Sequence, residues 1–384
     1  MSDDYDVIVV GAGPAGSICA RSIGQVNAKA RILLIDKTQF PRDKTCGDFI
    51  SARLCDNMKR LELYDAVKMA PQAVIEDLLF SHPTVGSFYV KDSLNREKST
   101  GFVCKRENLD AVFIEEAKKY VDVLEGVKVK GLVFEDGRVV GVQSEDKTFR
   151  AKLVVGADGA NGVTAKALGV STLDENHNAV AIRSYYSNVK GMTASVELHF
   201  LDEVQPGYFW IFPVNQTTGE ANVGLGVLSS HVRNCNLQLK QLMNRIIKEH
   251  PQFRERFAES HCLAPMKGWS LPFGSKKRPL AFNGAILVGD AAGLIDPMSG
   301  EGIENAFRSG ECAAKIIQQA LVANNFSQQF LTKYEKALEA MLRPELRKGY
   351  LIQKISRNPT FLKLIFLLLK HSRMGRRVIA NKFF

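Results

Sequence analysis

A chain of 384 residues with 45% hydrophobic and 24% charged residues has the composition of a folded globular protein and is long enough for two domains. Its net charge of +10 favours anionic partners, including lipid surfaces and acidic substrates, but carries no information about the fold. Seven scattered cysteines, without C-x-x-C pairs or histidine clusters at ligand spacing, argue against a disulfide framework and predict no metal site.

The first predicted element is a buried strand that ends in a glycine-rich turn. Residues 7–10 are a continuous apolar run, which is typical of a strand covered on both faces in a parallel sheet. Gly11, Gly13 and Gly16 follow at G-x-G-x-x-G spacing. The first glycine permits a tight turn, the second lets a pyrophosphate approach the backbone, and the third lets the helix of residues 14–25 pack closely on the strand.

The next elements complete a dinucleotide-binding pattern. Pro14 suits the first turn of a helix, and residues 31–35 form a second apolar strand. Asp36 follows that strand, where a carboxylate can accept hydrogen bonds from the hydroxyls of an adenosine ribose. This pattern does not separate FAD from NAD. A second G-x-G-x-x-G motif is absent from the sequence, so no separate nicotinamide domain is expected.

The rest of the chain alternates between the two kinds of sheet and ends in helices. Short alternating runs over 75–104 predict strands of a second sheet, and the strand pattern over 179–227 predicts one large antiparallel sheet. Residues 106–120 predict an amphipathic helix. The predicted fold class is α/β with added antiparallel β structure. We expect a discontinuous Rossmann-type domain, an inserted substrate domain and a C-terminal helical region, with these boundaries: 1–74, 101–172 and 268–330; 75–100 and 173–267; and 331–384.

Two downstream turns echo the first one. The motifs G-A-D-G at 156–159 and G-D-A-A-G at 289–293 each follow an apolar strand. Both turns should therefore lie at the carboxyl edge of the parallel sheet, where α/β proteins bind ligands. Farther along, Gly300 and Gly302 leave backbone amides open at the start of a helix, whose positive end can stabilise negative charge on a bound group.

Taken together, the G-A-G-P-A-G, G-A-D-G and G-D-A-A-G-x-x-D-P motifs resemble those of flavin-dependent oxidoreductases of the aromatic hydroxylase type, over nearly the full chain. The resemblance implies that Asp290 binds the ribityl chain of FAD and that Asp158 lies near the pyrophosphate and the nicotinamide donor. It also matches Arg106 to a cofactor-contacting arginine. The predicted cofactor-binding residues are Gly11, Gly13, Pro14, Ala15, Gly16, Asp36, Lys37, Arg106, Asp158, Gly159, Gly289, Asp290, Gly300, Gly302 and Ile303.

Two further stretches resemble the geranylgeranyl reductase family. Residues 46–51 resemble its C-G-x-x-I-S loop, and residues 208–213 resemble its Y-x-W-x-F-P strand. Period-two alternation puts Tyr208, Trp210 and Phe212 on one face, where they form a wall suited to a long apolar substrate or an ordinary sheet core. These three are the predicted substrate-binding residues.

Cys46 is the predicted catalytic residue because the resemblance places its loop in the active site. From the residues alone, a thiol beside a lysine is either a proton donor with a lowered pKa or a group that shapes the pocket. Asp48 departs from the glycine often found in that loop of the family, which puts the shape of the pocket in question.

The C-terminal stretch from 357 to 384 is basic and amphipathic. It holds a cluster of large apolar residues beside Lys363, Lys370, Arg373, Arg376, Arg377 and Lys382, and it contains no acid. Such a segment either lies in an anionic lipid interface or packs on the substrate domain with a solvated basic end. No apolar run approaches the roughly 20 residues of a membrane-spanning helix, and no signal sequence precedes the first strand. We expect a cytoplasmic protein, with any membrane contact peripheral, at the inner face.

The combined patterns predict an FAD-dependent reductase of carbon–carbon double bonds in a prenyl or similarly apolar chain. The hydride would come from flavin N5, with NADPH, NADH or another donor supplying electrons. A flavin monooxygenase or halogenase is the alternative enzyme class, although Tyr208 and Phe212 do not fit the halogenase G-W-x-W-x-I-P pattern. A prenyl-binding escort protein on the same scaffold is the alternative without chemistry. No nucleic-acid partner is expected.

Overall fold

The structure, a computed structural model, describes residues 4–91, 101–170, 173–376 and 380. The strands are, in chain order, β1 Asp4–Val10, β2 Ile32–Ile35, β3 Phe49–Ile50, β4 Ala73–Val74, β5 Asp77–His82, β6 Gly86–Lys91, β7 Phe102–Val103, β8 Asp122–Leu124, β9 Gly131–Glu135, β10 Arg138–Gln143, β11 Thr148–Gly156, β12 Asn178–Ser187, β13 Ser195–His199, β14 Gly207–Asn215, β15 Glu220–Leu228, β16 His261–Cys262, β17 Lys267–Pro272, β18 Ala281–Phe282 and β19 Ala285–Leu287.

The α-helices agree with the sequence pattern wherever it was strongly periodic. They are α1 Pro14–Val26, α2 Ala52–Arg60, α3 Tyr64–Lys68, α4 Arg106–Lys118, α5 Val163–Ala167, α6 Ser229–Asn234, α7 Leu239–Glu249, α8 Ile303–Ala323, α9 Gln328–Ser356 and α10 Pro359–His371. In the part of the chain that the structure describes, no helix has both the length and the apolar content that a bilayer crossing requires.

The first compact unit comprises residues 1–42, 110–178 and 271–351. Its sheet has the order β18-β19-β11-β1-β2-β8, with β9 and β10 continuing from β11. The strands β19, β11, β1, β2 and β8 are parallel, as their continuous apolar runs predict. One face packs on a core shared with α1 and α8, and the other packs on residues of the β9–β11 meander. This unit is the predicted Rossmann-type domain.

The second compact unit comprises residues 43–109, 179–270 and 352–384. Its main sheet has the order β16-β12-β15-β14-β13-β5-β6, with β17 paired to β12. One face of this sheet packs against α7 through an apolar core that includes Phe209, Ile211 and Ile246. The sheet is antiparallel as predicted, except that β13 pairs with β5 in parallel. Alternation of side chains reports which face a residue occupies but not the direction of a neighbouring strand, so the sequence pattern could not reveal this pair.

The two units divide the chain differently from the sequence-based boundaries. Residues 43–74 and 101–109 belong to the second unit, because β3 and β4 both pair with β7 in a small three-stranded sheet. Residues 331–351 belong to the first unit, where Leu331, Tyr334 and Leu338 of α9 enter its core. Of the predicted segment 75–100, residues 92–100 lie outside the described residues.

Candidate functional site

The glycine-rich turn of the first unit leaves its backbone uncovered where the dinucleotide-binding pattern requires it. Gly11 has a φ of +101°, a conformation that favours glycine, and its amide donates to the carbonyl of Ile35 at 2.7 Å. Within the part of the chain that the structure describes, a Cβ atom placed on Gly13 would meet only the guanidinium of Arg42, at 3.8 Å. The start of α1 at Pro14 therefore has open space above it, bounded by one cation.

Asp36 lies beside this turn and stabilises it through a hydrogen bond. Its Oδ2 accepts from the amide of Ala12 at 2.8 Å, and its Oδ1 accepts from the amide and the hydroxyl of Thr38 at 2.9 and 2.7 Å. An ionised carboxylate has about four lone-pair sites, so acceptor capacity remains for a ribose hydroxyl. The neighbouring Lys37 is exposed.

Arg42 is a residue of this site that the sequence analysis missed. Its Nη1 lies 2.9 Å from Oδ2 of the buried Asp110, and its guanidinium lies 4.9 Å from the ring centre of Phe40. These two contacts hold the cation beside Gly13, where it can neutralise a pyrophosphate. The only local signal was a basic residue in a polar loop, which is also what an ordinary exposed loop contains.

The carboxylate of Asp158 accepts hydrogen bonds from a neighbouring residue, Thr164. Its Oδ2 accepts from the amide of Thr164 at 3.0 Å, and its Oδ1 accepts from the hydroxyl of the same residue. Burial raises the pKa of Asp158, while these hydrogen bonds act to lower it. These contacts define a structural role for Asp158 at the start of α5, and its expected proximity to the pyrophosphate stays a prediction. Gly159 has open space around its Cα, with a φ of +81°.

The third turn places a carboxylate at the N-terminus of α8. A Cβ on Gly302, the N-cap residue, would lie 3.2 Å from Oδ1 of Asp290. The amide of Gly289 donates to the hydroxyl of Ser309 at 3.0 Å, which ties the turn to the helix. Gly300 has a φ of +73°, and Ile303 is buried as the first residue of the helix. The bare glycine backbone, the acid and the positive end of a 21-residue helix together fit the polar atoms of a flavin cofactor.

In the second unit, the cysteine loop and the aromatic strand are joined by a residue in neither motif. Asn222 of β15 donates from Nδ2 to the carbonyl of Cys46 and to Oδ2 of Asp48, each at 2.7 Å. Its Oδ1 accepts from Nε1 of Trp210 at 3.0 Å. A Cβ on Gly47 would meet the ring of Phe212 at 2.8 Å. The two motifs therefore form one structure, which the sequence comparison could only infer from their co-occurrence.

Asp48 has a conformation that explains why glycine is common at its position. Its φ is +67°, in the left-handed region that aspartate and asparagine tolerate better than most residues. The side chain is fully buried, and its Oδ2 also accepts from the hydroxyl of Tyr185 at 2.6 Å. Burial raises the pKa of Asp48 from 3.8 to about 6, despite the opposing effects of Tyr185 and Arg183.

The surroundings of Cys46 favour its neutral thiol over the thiolate. Burial raises the pKa of Cys46, and this outweighs the lowering effect of the Arg106 guanidinium. The lowered pKa considered from the sequence is therefore wrong in direction, although a neutral thiol can still donate a proton. Sγ accepts from the amide of Asp48 at 3.3 Å. Arg106 is buried in this unit and acts electrostatically on both residues; its contact with a cofactor stays a prediction.

The three predicted substrate-binding residues do share one face of the sheet. The rings of Tyr208, Trp210 and Phe212 follow one another at centroid distances of 6.0 Å. Tyr208 continues this row to Phe200 at 5.8 Å, and Phe212 continues it to Phe49 at 6.3 Å. The face opposite the α7 core is thus an aromatic row that ends beside the cysteine loop. We call these five rings the aromatic row.

Comparisons with protein families, proteins and solved structures agree with this description. The profile of the FAD-binding domain family matches residues 4–341, which is well over half of the chain. The chain belongs to this family and is an FAD-dependent oxidoreductase. The bare glycine turns, Arg42 and the α8 N-terminus are the residues that would hold the FAD.

More specific relatives are reductases of isoprenoid lipids by name. The chain is 29% identical over 366 residues to a digeranylgeranylglycerophospholipid reductase of Methanocella arvoryzae, covering 92% of this chain and 88% of that protein. It is 28% identical over 372 residues to a menaquinone reductase of Mycolicibacterium smegmatis, covering 92% and 84%.

Among solved structures, a geranylgeranyl bacteriochlorophyll reductase-like protein of Thermoplasma acidophilum aligns with a TM-score of 0.85 and 24% identity, over 99% of this chain and 96% of that one. A myxobacterial chondrochloren halogenase aligns with a TM-score of 0.74 and 21% identity, over 98% and 86%. At these identities both structures establish the shared fold.

Proposed function

We propose that this protein reduces carbon–carbon double bonds in a polyprenyl lipid. The observation that carries the proposal is the aromatic row, which Asn222 ties to the Cys46 loop. Such a row offers an apolar chain a continuous surface that has one polar end. The named relatives support it, because digeranylgeranyl phospholipids and menaquinones are both amphiphiles that carry polyprenyl chains.

The proposed roles divide between the cofactor and the chain. Reduced FAD supplies the hydride for an alkene, and NADPH or NADH is the proposed source of its electrons. The residues of the chain hold the apolar substrate, exclude water and provide the proton. Cys46 is the proposed proton donor because its thiol lies in the loop beside the aromatic row, and the Arg106 guanidinium, which acts to lower its pKa, would stabilise the thiolate that proton transfer leaves. Hydrogen bonds from the Asp48 amide to its Sγ and from Asn222 to its carbonyl hold this donor in one position during the reaction.

The test is substrate-dependent oxidation of NADPH or NADH without oxygen. Under anaerobic conditions, the holoenzyme should oxidise the nicotinamide only when a vesicle-borne digeranylgeranyl phospholipid is present. Consumption of oxygen in proportion to nicotinamide, with an oxygenated product, would instead establish the monooxygenase alternative.

The proposal includes contact with a lipid surface through α10. This helix packs through Leu362 and Phe366, and the ring of Phe366 lies 5.0 Å from that of Phe200. Its opposite side leaves Leu364 and Leu368 50% and 60% exposed. The sequence pattern of this segment fits packing and lipid contact equally. A helix with one packed face and one exposed apolar face is compatible with both.

The basic residues of this segment do not all contribute equally to such a contact. Lys370 donates to the carbonyl of Val85 at 2.6 Å, and Arg376 donates to the carbonyl of Leu369 at 3.2 Å, so both have structural roles. Arg377 and Lys382 lie outside the described residues. The attraction to anionic lipid at this helix is therefore expected mainly from Lys363 and Arg373.

Changing the exposed leucines tests the lipid contact without disturbing the packed face. Leu364→Gln with Leu368→Gln should weaken sedimentation with phosphatidylglycerol vesicles at least tenfold, because each leucine removed from water contributes about 1.5–3 kcal/mol when fully buried. Val26→Gln with Val322→Gln is the matched control, since these valines are 76% and 87% exposed on helices of the first unit. Equal binding by both double variants would exclude α10 as the contact.

A further inference from the structure

A buried arginine in the second unit has hydrogen-bond donors to spare. Arg183 of β12 has a fully buried side chain, and its Nη2 donates to the carboxylate of Asp43 and to the carbonyl of Lys44, the latter at 3.1 Å. The guanidinium carbon lies 4.3 Å from the ring centre of Tyr185. Its Nε and Nη1 are buried and have no hydrogen-bond partner among the described residues.

A second buried N–H donor, that of Trp269, lies on the neighbouring strand β17. A Cβ on Gly268 of β17 would contact Ile182, which belongs to the α7 core. Because side chains alternate along a strand, Lys267 and Trp269 lie on the opposite face of the sheet, which is also the face of Arg183. Nε1 of Trp269 is also buried and, within the part of the chain that is described, lacks a partner.

Two carboxylates, those of Asp43 and Asp48, act on the Arg183 guanidinium, and among the described residues neither accepts a hydrogen bond from its Nε or Nη1. Lys267 approaches Oδ2 of Asp43 at 2.9 Å, and the ammonium of Lys44 lies 5.2 Å from the ring centre of Trp269. With Arg183, three cations surround Asp43. Buried N–H groups without acceptors are costly, particularly when they belong to a charged group. The group that fits them is an anion with several acceptor oxygens and no donors, which describes a phosphate.

Arg183 lies two strands away from Trp210 of the aromatic row, at the same level of the sheet. Arg183 pairs with Gly224 across β12 and β15, and Gly224 pairs with Trp210 across β15 and β14. Strands in a sheet lie about 4.8 Å apart, so the backbones of Arg183 and Trp210 are separated by roughly 10 Å. Because Gly224 has no side chain, the indole of Trp210 extends over the middle strand toward Arg183, and a Cβ on Gly224 would clash with this ring.

We propose that Arg183 and Trp269 bind the phosphate of a prenyl phosphate or phospholipid substrate whose chain lies along the aromatic row. This inference rests on the proposed function and extends it, because it distinguishes an anionic headgroup from a neutral one such as a quinone. Phosphate groups also occur in the nicotinamide donor, and the experiment separates these two sources.

The experiment measures equilibrium binding to the oxidised holoenzyme, with farnesyl phosphate and farnesol as matched probes. Arg183→Lys keeps a cation for Asp43 but removes the unpaired Nε and Nη1 donors, and should weaken farnesyl phosphate binding about tenfold. Trp269→Phe removes one N–H and keeps the ring beside Lys44, and should weaken it about threefold to tenfold. Farnesol should bind all variants equally.

Arg256→Lys is the matched control, because Arg256 pairs with Glu197 at 2.6 Å and contributes to the α7 side of the sheet. It should leave the preference for phosphate over alcohol unchanged. If Trp269→Phe, which preserves the ion pairs, and Arg183→Lys both keep the wild-type preference, the cluster is not a phosphate site. If they weaken NADPH binding and not farnesyl phosphate binding, the phosphate belongs to the donor and the substrate assignment fails. Since binding needs no turnover, a protein that binds farnesyl phosphate through Arg183 but reduces nothing would refute the proposed function alone.

Discussion

Replacing Asn222 with Ala should disconnect the cysteine loop from the aromatic strand. The substitution removes two hydrogen bonds of 2.7 Å, one to the Cys46 carbonyl and one to the Asp48 carboxyl group, and leaves Nε1 of Trp210 without its acceptor. A neutral hydrogen bond contributes about 1 kcal/mol, one to a charged group about 1.5–3 kcal/mol, and a buried donor without a partner costs about 1–3 kcal/mol. Because these contributions overlap, we expect a loss of about 3–5 kcal/mol in the free energy of unfolding.

Urea unfolding followed by tryptophan fluorescence measures this loss in the relevant unit, because the two tryptophans of the chain, Trp210 and Trp269, both belong to the second unit. Asn215→Ala is the matched control: Asn215 is exposed, and among the described residues its Oδ1 accepts only from the nearby amides of Thr217 and Thr218. It should cost about 1 kcal/mol or less.

Alkylation of Cys46, read by peptide mass spectrometry, gives a second and independent result. Freed from Asn222, the loop should open more often and the thiol should react faster than in the wild type. A loss of stability no larger than that of Asn215→Ala, together with an unchanged rate of alkylation, would refute the role assigned to Asn222.

Two further predictions concern one group in each unit. Because the folded pKa of Asp48 is about 6 and its ordinary value is 3.8, the folded protein holds a proton that the unfolded chain releases between these values, and stability is lost as the pH rises through this window. Asp48→Asn should therefore gain about 2–3 kcal/mol relative to the wild type between pH 4 and pH 7, measured as urea midpoints; a constant difference would contradict the buried acid. Gly13→Ala should fold normally, since in the described part of the chain its Cβ meets only Arg42, yet bind FAD at least tenfold more weakly by fluorescence titration, whereas Gly16→Ala, whose Cβ would clash with the carbonyl of Gly11, should lower stability itself. Normal FAD affinity in Gly13→Ala would show that the open turn is not the cofactor cradle.

The structural features that the sequence predicted correctly are those with local chemical causes. The glycine turn follows from backbone geometry within a few residues, and the shared face of Tyr208, Trp210 and Phe212 follows from strand alternation. The missing parts depend on residues distant in sequence. Asn222 is 176 positions from Cys46, and its only local signal is a polar side chain in a strand whose later residues are all apolar or glycine. Such a residue is identifiable as buried and polar, but its partners follow only from the fold.

The direction of a pKa shift could not be predicted from the sequence either. A cysteine two residues from Lys44 suggests a lowered pKa, yet burial decides the outcome for Cys46 in the opposite direction. Likewise, a loop containing Lys44 and Arg42 looks like a solvated basic segment, while the structure gives these two residues to different units and different partners. The charge of a residue is local information, whereas its desolvation depends on the whole fold.

The most direct test of the account is a single turnover of the purified holoenzyme. Enzyme reduced with dithionite in the absence of oxygen should transfer hydrogen to a digeranylgeranyl phospholipid, and mass spectrometry of the extracted lipid should show the gain of a pair of hydrogen atoms for each double bond reduced. The visible flavin spectrum should return to its oxidised form in proportion to the product. A lipid of unchanged mass beside a flavin that stays reduced would contradict the assignment of this protein as a prenyl-chain reductase.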